Sequence, residues 1–141
     1  MTQLENEIAE KLLFAARAAA TNAYVPHSSY SVGAALLTSG GEIISGCNVE
    51  NASFGLSMCA ERSAIYAARS LGLIDPQKQP IRAIAVYAAK GSMPWPCGAC
   101  RQVLCEFAAD PMTVILQGAE GRRDVVLGDL LPNAFRLGAR S

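Results

Sequence analysis

The chain has 141 residues, of which 51% are hydrophobic and 17% charged, so we expect one compact domain over residues 1–141 with an ordinary apolar core. Twelve basic residues balance twelve acidic ones, and no lysine or arginine cluster supplies the positive stripe that a nucleic-acid backbone requires. No apolar run approaches the roughly 18 residues that span a bilayer, so we expect neither a nucleic-acid nor a membrane partner.

Cysteine usage and the first residues bear on the cellular compartment. The start, MTQLENEIAEKLL, is acidic and amphipathic rather than basic and then apolar, so it lacks the pattern of a secretory signal. Five cysteines, an odd number, then favour reduced thiols with metal or catalytic chemistry over a disulfide framework. We therefore expect a soluble, cytoplasmic protein.

The first half of the chain predicts a helix followed by a hairpin. Apolar residues recur at helical spacing as far as about Ala20, and the stripe consists of Leu4, Ile8, Leu12, Ala15 and Ala19. A loop over residues 24–31 leads into a predicted strand at residues 32–37. After a turn at residues 39–41, the alternation over residues 42–50 predicts the returning strand.

The second half alternates helices and strands. A helical pattern from Cys59 ends at Gly72, and the apolar run IRAIAVYAA at residues 81–89 is typical of a buried central strand. A helix over about residues 97–108, a strand TVILQG, a turn near residues 118–121 and a short C-terminal segment follow. This order predicts an α/β fold, a three-layer α/β/α sandwich around one mixed sheet.

The stretch MPWPCGACRQ carries Cys97 and Cys100 at the predicted start of a helix. Their spacing places both sulfurs on one helix face, and the backbone amides of a helix N-terminus stabilise thiolates. By itself, the pattern suits either a thioredoxin-like redox pair or part of a zinc site.

A third cysteine favours the zinc interpretation. Cys59 also begins a predicted helix after a loop, so two helix N-termini can meet at one metal ion. Three protein ligands leave the fourth position of zinc open to water, as in catalytic sites. Glu61 follows two residues later and is near enough to exchange protons with that water without binding the metal. A redox pair would leave Cys59 and Glu61 without a role.

C-A-E followed by P-C-x-x-C is the three-cysteine form of a known zinc nucleobase deaminase signature. With further segments, it makes the chain resemble the small homotetrameric cytidine deaminases over nearly its whole length. The segments that carry the resemblance are YVP at 24–26, VGAAL at 32–36, GCNVENA at 46–52, CAER at 59–62, PCGACRQ at 96–102 and LLP at 130–132. The N-V-E-N part narrows the resemblance to deaminases of free pyrimidine nucleosides.

The resemblance implies a mixed five-stranded sheet, a homotetramer, and hydrolysis of cytidine and deoxycytidine to uridine and deoxyuridine with release of ammonia, a reaction of pyrimidine salvage. It implies that one Zn²⁺ per chain is held by Cys59, Cys97 and Cys100. Glu61 would carry protons from water to the cytosine ring and then to the leaving amino group. Arg62, three residues after Cys59, would offset the excess negative charge of three thiolates.

Substrate contacts also follow from the resemblance. Asn48 and Glu50 are two apart on the predicted strand, so their side chains share a face, and the matching residues of the family bind the ribose, chiefly its 3′-hydroxyl. Tyr30 stands where the family has a base-contacting Phe, and Ala60 belongs to the same substrate-binding set. Phe135 matches a C-terminal Phe that reaches the base in a neighbouring subunit's site.

Four other residues are not expected to bind the metal. His27 and Phe54 stand where the family has Tyr, and a lone loop histidine is expected at a surface or interface rather than on the metal. Cys47 and Cys105 are expected to be small core residues.

Three alternative functions are open at this point. One is a structural zinc protein. The second is a blasticidin-type deaminase, which N-V-E-N disfavours, and the third is a nucleic-acid editor, which the neutral charge disfavours.

Overall fold

The computed structural model describes residues 3–137. Its helices are α1 (Gln3–Ala20), α2 (Ala60–Ser70), α3 (Gly98–Phe107) and α4 (Leu127–Leu130), and its strands are β1 (Val32–Leu37), β2 (Ile43–Cys47), β3 (Ala83–Ala88), β4 (Thr113–Gly118) and β5 (Gly121–Val126). Within these residues, no helix combines the length and the apolar character that crossing a bilayer requires.

The five strands form one mixed sheet in the order β2-β1-β3-β4-β5. β1 is antiparallel to both β2 and β3, β3 and β4 are parallel, and β5 is antiparallel to β4. The parallel pair is joined through α3, as a parallel connection requires. Helices cover both faces of the sheet, which confirms the predicted α/β sandwich and its five-stranded mixed sheet.

Helix α1 packs on one face of the sheet through a continuous buried stripe. The stripe consists of Ala9, Leu12, Leu13, Ala16 and Ala20. The buried face is offset from the predicted stripe: Leu12 is fully buried as predicted, but Ile8, Ala15 and Ala19 are only half-buried, and the side chain of Leu4 lies outside the described part. The helix sits so close to β1 that a Cβ on Gly33 would lie 1.8 Å from the carbonyl oxygen of Ala16. Glycine at 33 thus selects the face that α1 buries.

Helices α2 and α3 cover the other face of the sheet. Ile65 from α2 and Leu104 from α3 are fully buried in one cluster with the strand residues Leu36, Ile84, Val86, Val114 and Leu116. Another glycine sets the approach of α2, because a Cβ on Gly46 would lie 2.6 Å from the backbone nitrogen of Ala64. This contact holds α2 directly on β2, with the N-terminus of α2 at one end of the sheet.

The returning strand of the hairpin ends at Cys47, earlier than the predicted end at residue 50. The chain leaves the regular ladder because its next hydrogen bonds go to two loops. The carbonyl of Asn48 accepts from the amide of Tyr24 at 3.0 Å, and Val49 exchanges backbone hydrogen bonds with Met58 at 2.9 Å. Residues 48–50 therefore lie where three chain segments meet.

Strand β5 occupies part of what the sequence predicted as a C-terminal segment. Its side facing α1 carries charges instead of the apolar residues that mark a strand in sequence. Arg122 of β5 pairs with Asp124 at 2.9 Å and with Glu10 of α1 at 3.1 Å. An edge strand held by ion pairs shows no hydrophobic alternation, so the pattern alone missed it.

Candidate metal centre

The three predicted metal ligands lie at two helix N-termini. Cys59 is the residue immediately before α2, Cys97 is the residue immediately before α3, and Cys100 is in the first turn of α3. Neither Cys59 nor Cys97 uses its sulfur to cap its own helix. All three sulfurs lie within 4.8 Å of one another, and those of Cys59 and Cys97 are 3.8 Å apart. The structure thus brings together the three cysteines that the sequence singled out.

This sulfur cluster fits a zinc ion. Tetrahedral zinc with Zn–S bonds of about 2.3 Å places its sulfurs roughly 3.8 Å apart, which is the separation of Cys59 and Cys97. Thiolate donors select soft or borderline metals such as zinc over magnesium or calcium. Three sulfurs complete three corners of a tetrahedron and leave the fourth open, whereas a redox pair needs only two.

The surroundings of Cys59 favour its thiolate. Hydrogen bonding from Cys100 is the largest of the effects that lower the pKa of Cys59, to about 5, and hydrogen bonds from Arg62 and Cys97 add to it. One guanidinium nitrogen of Arg62 lies 3.4 Å from the Cys59 sulfur. The same sharing of a proton raises the pKa of Cys100. A cation and two helix N-termini thus face a cluster that must carry negative charge to bind metal.

Glu61 lies in the first turn of α2 and is 5% exposed. Burial is the main effect that raises the pKa of Glu61 to about 7, and the charge of Cys59 acts in the same direction. A carboxyl group with a pKa near neutrality both accepts and releases a proton at physiological pH. Its position supports the role that the sequence predicted.

Glu61 and two of the sulfurs share one cavity of about 180 Å³. Its walls are formed by Tyr30, Val32, Asn48, Cys59, Ala60, Glu61, Val86, Pro94, Trp95 and Cys97. Three of the five predicted substrate-contacting residues line this cavity: Tyr30, Asn48 and Ala60. The other two, Glu50 and Phe135, do not. Trp95 also lines the cavity, and the guanidinium carbon of Arg123 lies 5.3 Å from the centre of its ring.

Glu50 lies outside the lining of the cavity but close to it in the chain. Its carboxylate accepts hydrogen bonds from the amides of His27 and Ser28, at 2.9 and 3.1 Å, and from the Ser28 hydroxyl. Asn48 is likewise held, because its Oδ1 accepts from the Val32 amide at 2.9 Å and its Nδ2 donates to the Tyr30 carbonyl at 2.8 Å. Both side chains are fixed in place before any ligand binds.

Phe135 does not line the cavity of its own chain and is 70% exposed. The segment that carries it is attached to α3. Gln102 donates to the Phe135 carbonyl at 2.9 Å, and Arg101 donates to the carbonyls of Pro96 and Leu130, both at 2.7 Å. Sequence reasoning assigned Arg101 and Gln102 no role. The signal for them was their position directly after Cys100.

The remaining expectations concern residues away from the cluster. His27 is exposed, and its ring packs edge-on against Phe54 with centroids 5.5 Å apart, so it lies at the surface as predicted. Cys105 is buried, as predicted. Cys47 is only half-buried, so its prediction as a core residue was wrong, because β2 is an edge strand of the sheet.

A family model of the cytidine and deoxycytidylate deaminase zinc-binding region matches residues 6–116. The chain belongs to this deaminase family. The matched range contains Cys59, Glu61, Cys97 and Cys100, and the membership confirms the resemblance drawn from the sequence. The family's zinc-binding region and the three-cysteine cluster together support zinc as the cofactor.

Individual deaminases of this family are similar to the chain over most of its length. A cytidine deaminase of Sporosarcina psychrophila is 42% identical over 127 residues, which cover 89% of this chain and 90% of that one. A cytidine deaminase of Mycobacterium tuberculosis is 44% identical over 119 residues, which cover 84% and 83%. The crystal structure of cytidine deaminase from Burkholderia pseudomallei is 43% identical, has a TM-score of 0.82, and matches 96% of this chain and 100% of that chain.

Proposed function

We propose that the chain, as a single catalytic domain over residues 1–141, catalyses the zinc-dependent hydrolysis of cytidine and deoxycytidine to uridine and deoxyuridine with release of ammonia. The observation that carries the proposal is the placement of Glu61, buried and with its pKa near 7, in one cavity with the sulfurs of Cys59 and Cys97. The cytidine deaminases that are similar to the chain add support.

Proton transfer falls to Glu61. A zinc ion held by Cys59, Cys97 and Cys100 supplies a Lewis acid that makes water nucleophilic near neutral pH. Glu61 accepts a proton from the water that attacks C4 of the base and delivers it to N3. It then takes the proton of the hydroxyl now bonded to C4 and passes it to the 4-amino group, so that the C4–N bond breaks, ammonia departs and the uracil carbonyl forms. Arg62, in the first turn of α2, would balance the negative charge of the sulfurs.

Substrate binding falls to the residues around the cavity. Tyr30 and Ala60 line the same cavity as Glu61, where the pyrimidine would bind. Asn48 and Glu50, held by the 24–32 loop, would bind the ribose hydroxyls. A free base has no ribose hydroxyls for these two side chains to bind, so the proposal is specific to nucleosides.

The assembly is proposed to be a homotetramer in the cytoplasm. Tyr24 and Phe54 expose large apolar side chains beside the cavity loops, which is typical of surfaces that bind another protein. The exposed ring of Phe135 would complete the cavity of a neighbouring subunit. A cluster of reduced thiols suits the reducing cytoplasm. Light scattering gives the mass in solution, and loss of activity on dissociation would support shared sites.

The test follows the ultraviolet change of zinc-loaded protein with cytidine, deoxycytidine, cytosine and CMP. We expect turnover of both nucleosides and little of the free base. Failure to deaminate either nucleoside would overturn the proposal.

Variants separate an enzyme from a structural zinc protein. Glu61→Gln should keep one zinc per chain and lower kcat by roughly 10²- to 10⁴-fold, the usual effect of losing a general acid-base group. Cys59→Ala should lose the zinc, whereas Cys47→Ala, a cysteine outside the cluster, should keep both zinc and turnover. Full turnover by Glu61→Gln would contradict the proton-transfer role.

A further inference from the structure

The hydroxyl of Ser28 lies between two residues of the proposed substrate site. Its Oγ accepts a hydrogen bond from the Tyr30 amide at 3.0 Å and donates one to Oε2 of Glu50. Because the amide occupies the acceptor side of the hydroxyl, the proton of Ser28 is directed to the carboxylate. One hydroxyl thereby fixes the rotation of the Glu50 side chain.

The backbone of the same turn holds the other oxygen of Glu50. The successive amides of His27 and Ser28 both donate to Oε1, at 2.9 and 3.1 Å. Ser29 has a φ of 56°, in the left-handed region, and its amide donates to the Val25 carbonyl at 2.9 Å. A non-glycine residue there is strained, and it persists because the surrounding hydrogen bonds fix it. The turn forms a small anion-binding nest around a carboxylate of the same chain.

These contacts do not serve the core of the protein. Ser28 is exposed and Glu50 is half-buried, and neither belongs to the two hydrophobic clusters. The Ser28 hydroxyl is the largest of the effects that lower the pKa of Glu50, so it favours the charged carboxylate. Fixing a charged side chain outside the hydrophobic core in one orientation prepares it for a ligand.

We infer that Ser28 is a positioning residue that orients Glu50 toward the 3′-hydroxyl of the nucleoside and thereby sets the preference for that hydroxyl. This inference rests on the proposed function, in which Glu50 binds the ribose. Ser28 acts through Glu50 and not on the reacting atoms.

The experiment compares cytidine with 3′-deoxycytidine, which lacks the hydroxyl that Glu50 would bind. Ser28→Ala should lower kcat/KM for cytidine roughly tenfold, mostly through KM, which is the effect of losing one hydrogen bond to a charged group. With 3′-deoxycytidine the same variant should lose less than about twofold, because Glu50 then has no partner to orient. Ser28→Thr keeps the hydroxyl and should restore cytidine turnover.

A matched control lies in the same loop. The hydroxyl of Ser31 makes no hydrogen bond to any described residue, so Ser31→Ala should leave kcat/KM unchanged for both cytidine and 3′-deoxycytidine. Zinc content and melting temperature should stay at wild-type values in all three variants. Equal losses of kcat/KM on cytidine and 3′-deoxycytidine would show a merely structural role and overturn the inference, as would a Ser28→Ala variant within twofold of wild type on cytidine.

A binding measurement separates this inference from the proposed function. Calorimetry with uridine and 3′-deoxyuridine should show that Ser28→Ala weakens binding of uridine alone. A wild-type chain that turns over neither nucleoside overturns the proposed function, and the ratio of the two dissociation constants still decides the role of Ser28. Absence of that difference overturns the inference even if the wild type is an active deaminase.

Discussion

One guanidinium nitrogen of Arg62 lies 3.4 Å from the sulfur of Cys59, one turn away on the same face of α2. The contact raises the pKa of Arg62, chiefly through its hydrogen bond to Cys59, and it contributes to the lowered pKa of Cys59 after the larger effect of Cys100. The Nε of Arg62 is buried without a hydrogen-bond partner among the described residues, so it is a terminal nitrogen of the guanidinium that contacts the Cys59 sulfur.

The first prediction concerns this pair in the metal-free protein. Because Arg62 favours the thiolate, Arg62→Gln should raise the pH at which Cys59 becomes reactive, from about 5 upward by about one unit or more. Iodoacetamide labelling across pH, read by mass spectrometry of the Cys59 peptide, measures the midpoint. Arg69→Gln, at the other end of α2, is the control and should leave it unchanged. An unmoved midpoint in Arg62→Gln would show that the neighbouring cysteines, and not Arg62, set the reactivity of Cys59.

The second prediction concerns the buried carboxyl of Glu61. Its pKa is raised from 4.5 to about 7, so between these values the folded chain binds more protons than the unfolded chain, and stability falls as pH rises. Metal-free Glu61→Gln, which cannot ionise, should exceed wild type in free energy of unfolding by up to roughly 3 kcal/mol at pH 8. The difference should vanish at pH 4, where both side chains are neutral.

Urea unfolding at the two pH values measures this difference. Glu120→Gln, on an exposed turn, is the control and should show no such dependence on pH. A Glu61→Gln variant that is less stable than wild type at pH 8 would mean that the wild-type carboxylate has partners that repay its burial.

The cluster of three cysteines was predictable from sequence because it depends on local spacing. Cys97 and Cys100 share the start of one helix, and Cys59 with Glu61 shares the start of another, so helix geometry alone orients each pair. That the two helix starts meet was also predictable, because the motif identifies the family. The match to the deaminase family and the similar crystal structure from Burkholderia pseudomallei confirm the family and its fold.

The features that were missed depend on contacts between distant segments. Arg122 of β5 finds its partner Glu10 more than a hundred residues away, and no pattern within the strand reports this. The offset of the α1 stripe follows from the close approach at Gly33, which a helical wheel does not contain. Glu50 was predicted to project from a strand, but it is oriented by the turn at Ser28, which has no hydrophobic period.

The third prediction uses the close approach of α2 to β2. A Cβ at Gly46 would lie 2.6 Å from the Ala64 nitrogen and 2.9 Å from the Ala60 carbonyl oxygen, and neither backbone atom can move without moving α2. Gly46→Ala should therefore cost about 1–3 kcal/mol of stability, the usual range for overpacking. Because α2 carries Cys59 and Glu61, zinc affinity and turnover should fall as well.

Thermal unfolding and zinc titration measure both effects of Gly46→Ala. Gly55→Ala is the matched control, because a Cβ there meets nothing within 4 Å. If Gly46→Ala lost stability while zinc affinity stayed at the control value, the position of α2 would not govern the metal centre.

The fourth prediction concerns Arg101, which joins the residue before Cys97 to the C-terminal segment. Its Nε donates to the Pro96 carbonyl and its Nη1 to the Leu130 carbonyl, both at 2.7 Å. Arg101→Met keeps the apolar stem of the side chain but leaves both carbonyls without this donor. Hydrogen bonds from a charged group contribute about 1.5–3 kcal/mol each, so we expect the loss of both to lower local stability by roughly 3–6 kcal/mol.

The loss should be concentrated in α4 and the segment that ends with Phe135. Hydrogen exchange should accelerate over residues 127–137 of Arg101→Met and stay unchanged in α1, because local opening exposes only the segment that loses its anchor. Arg82→Met, an exposed arginine beside β3, is the matched control and should change neither region. Acceleration spread evenly over the whole chain would instead show that Arg101 supports the fold globally rather than the attachment of the C-terminal segment to α3.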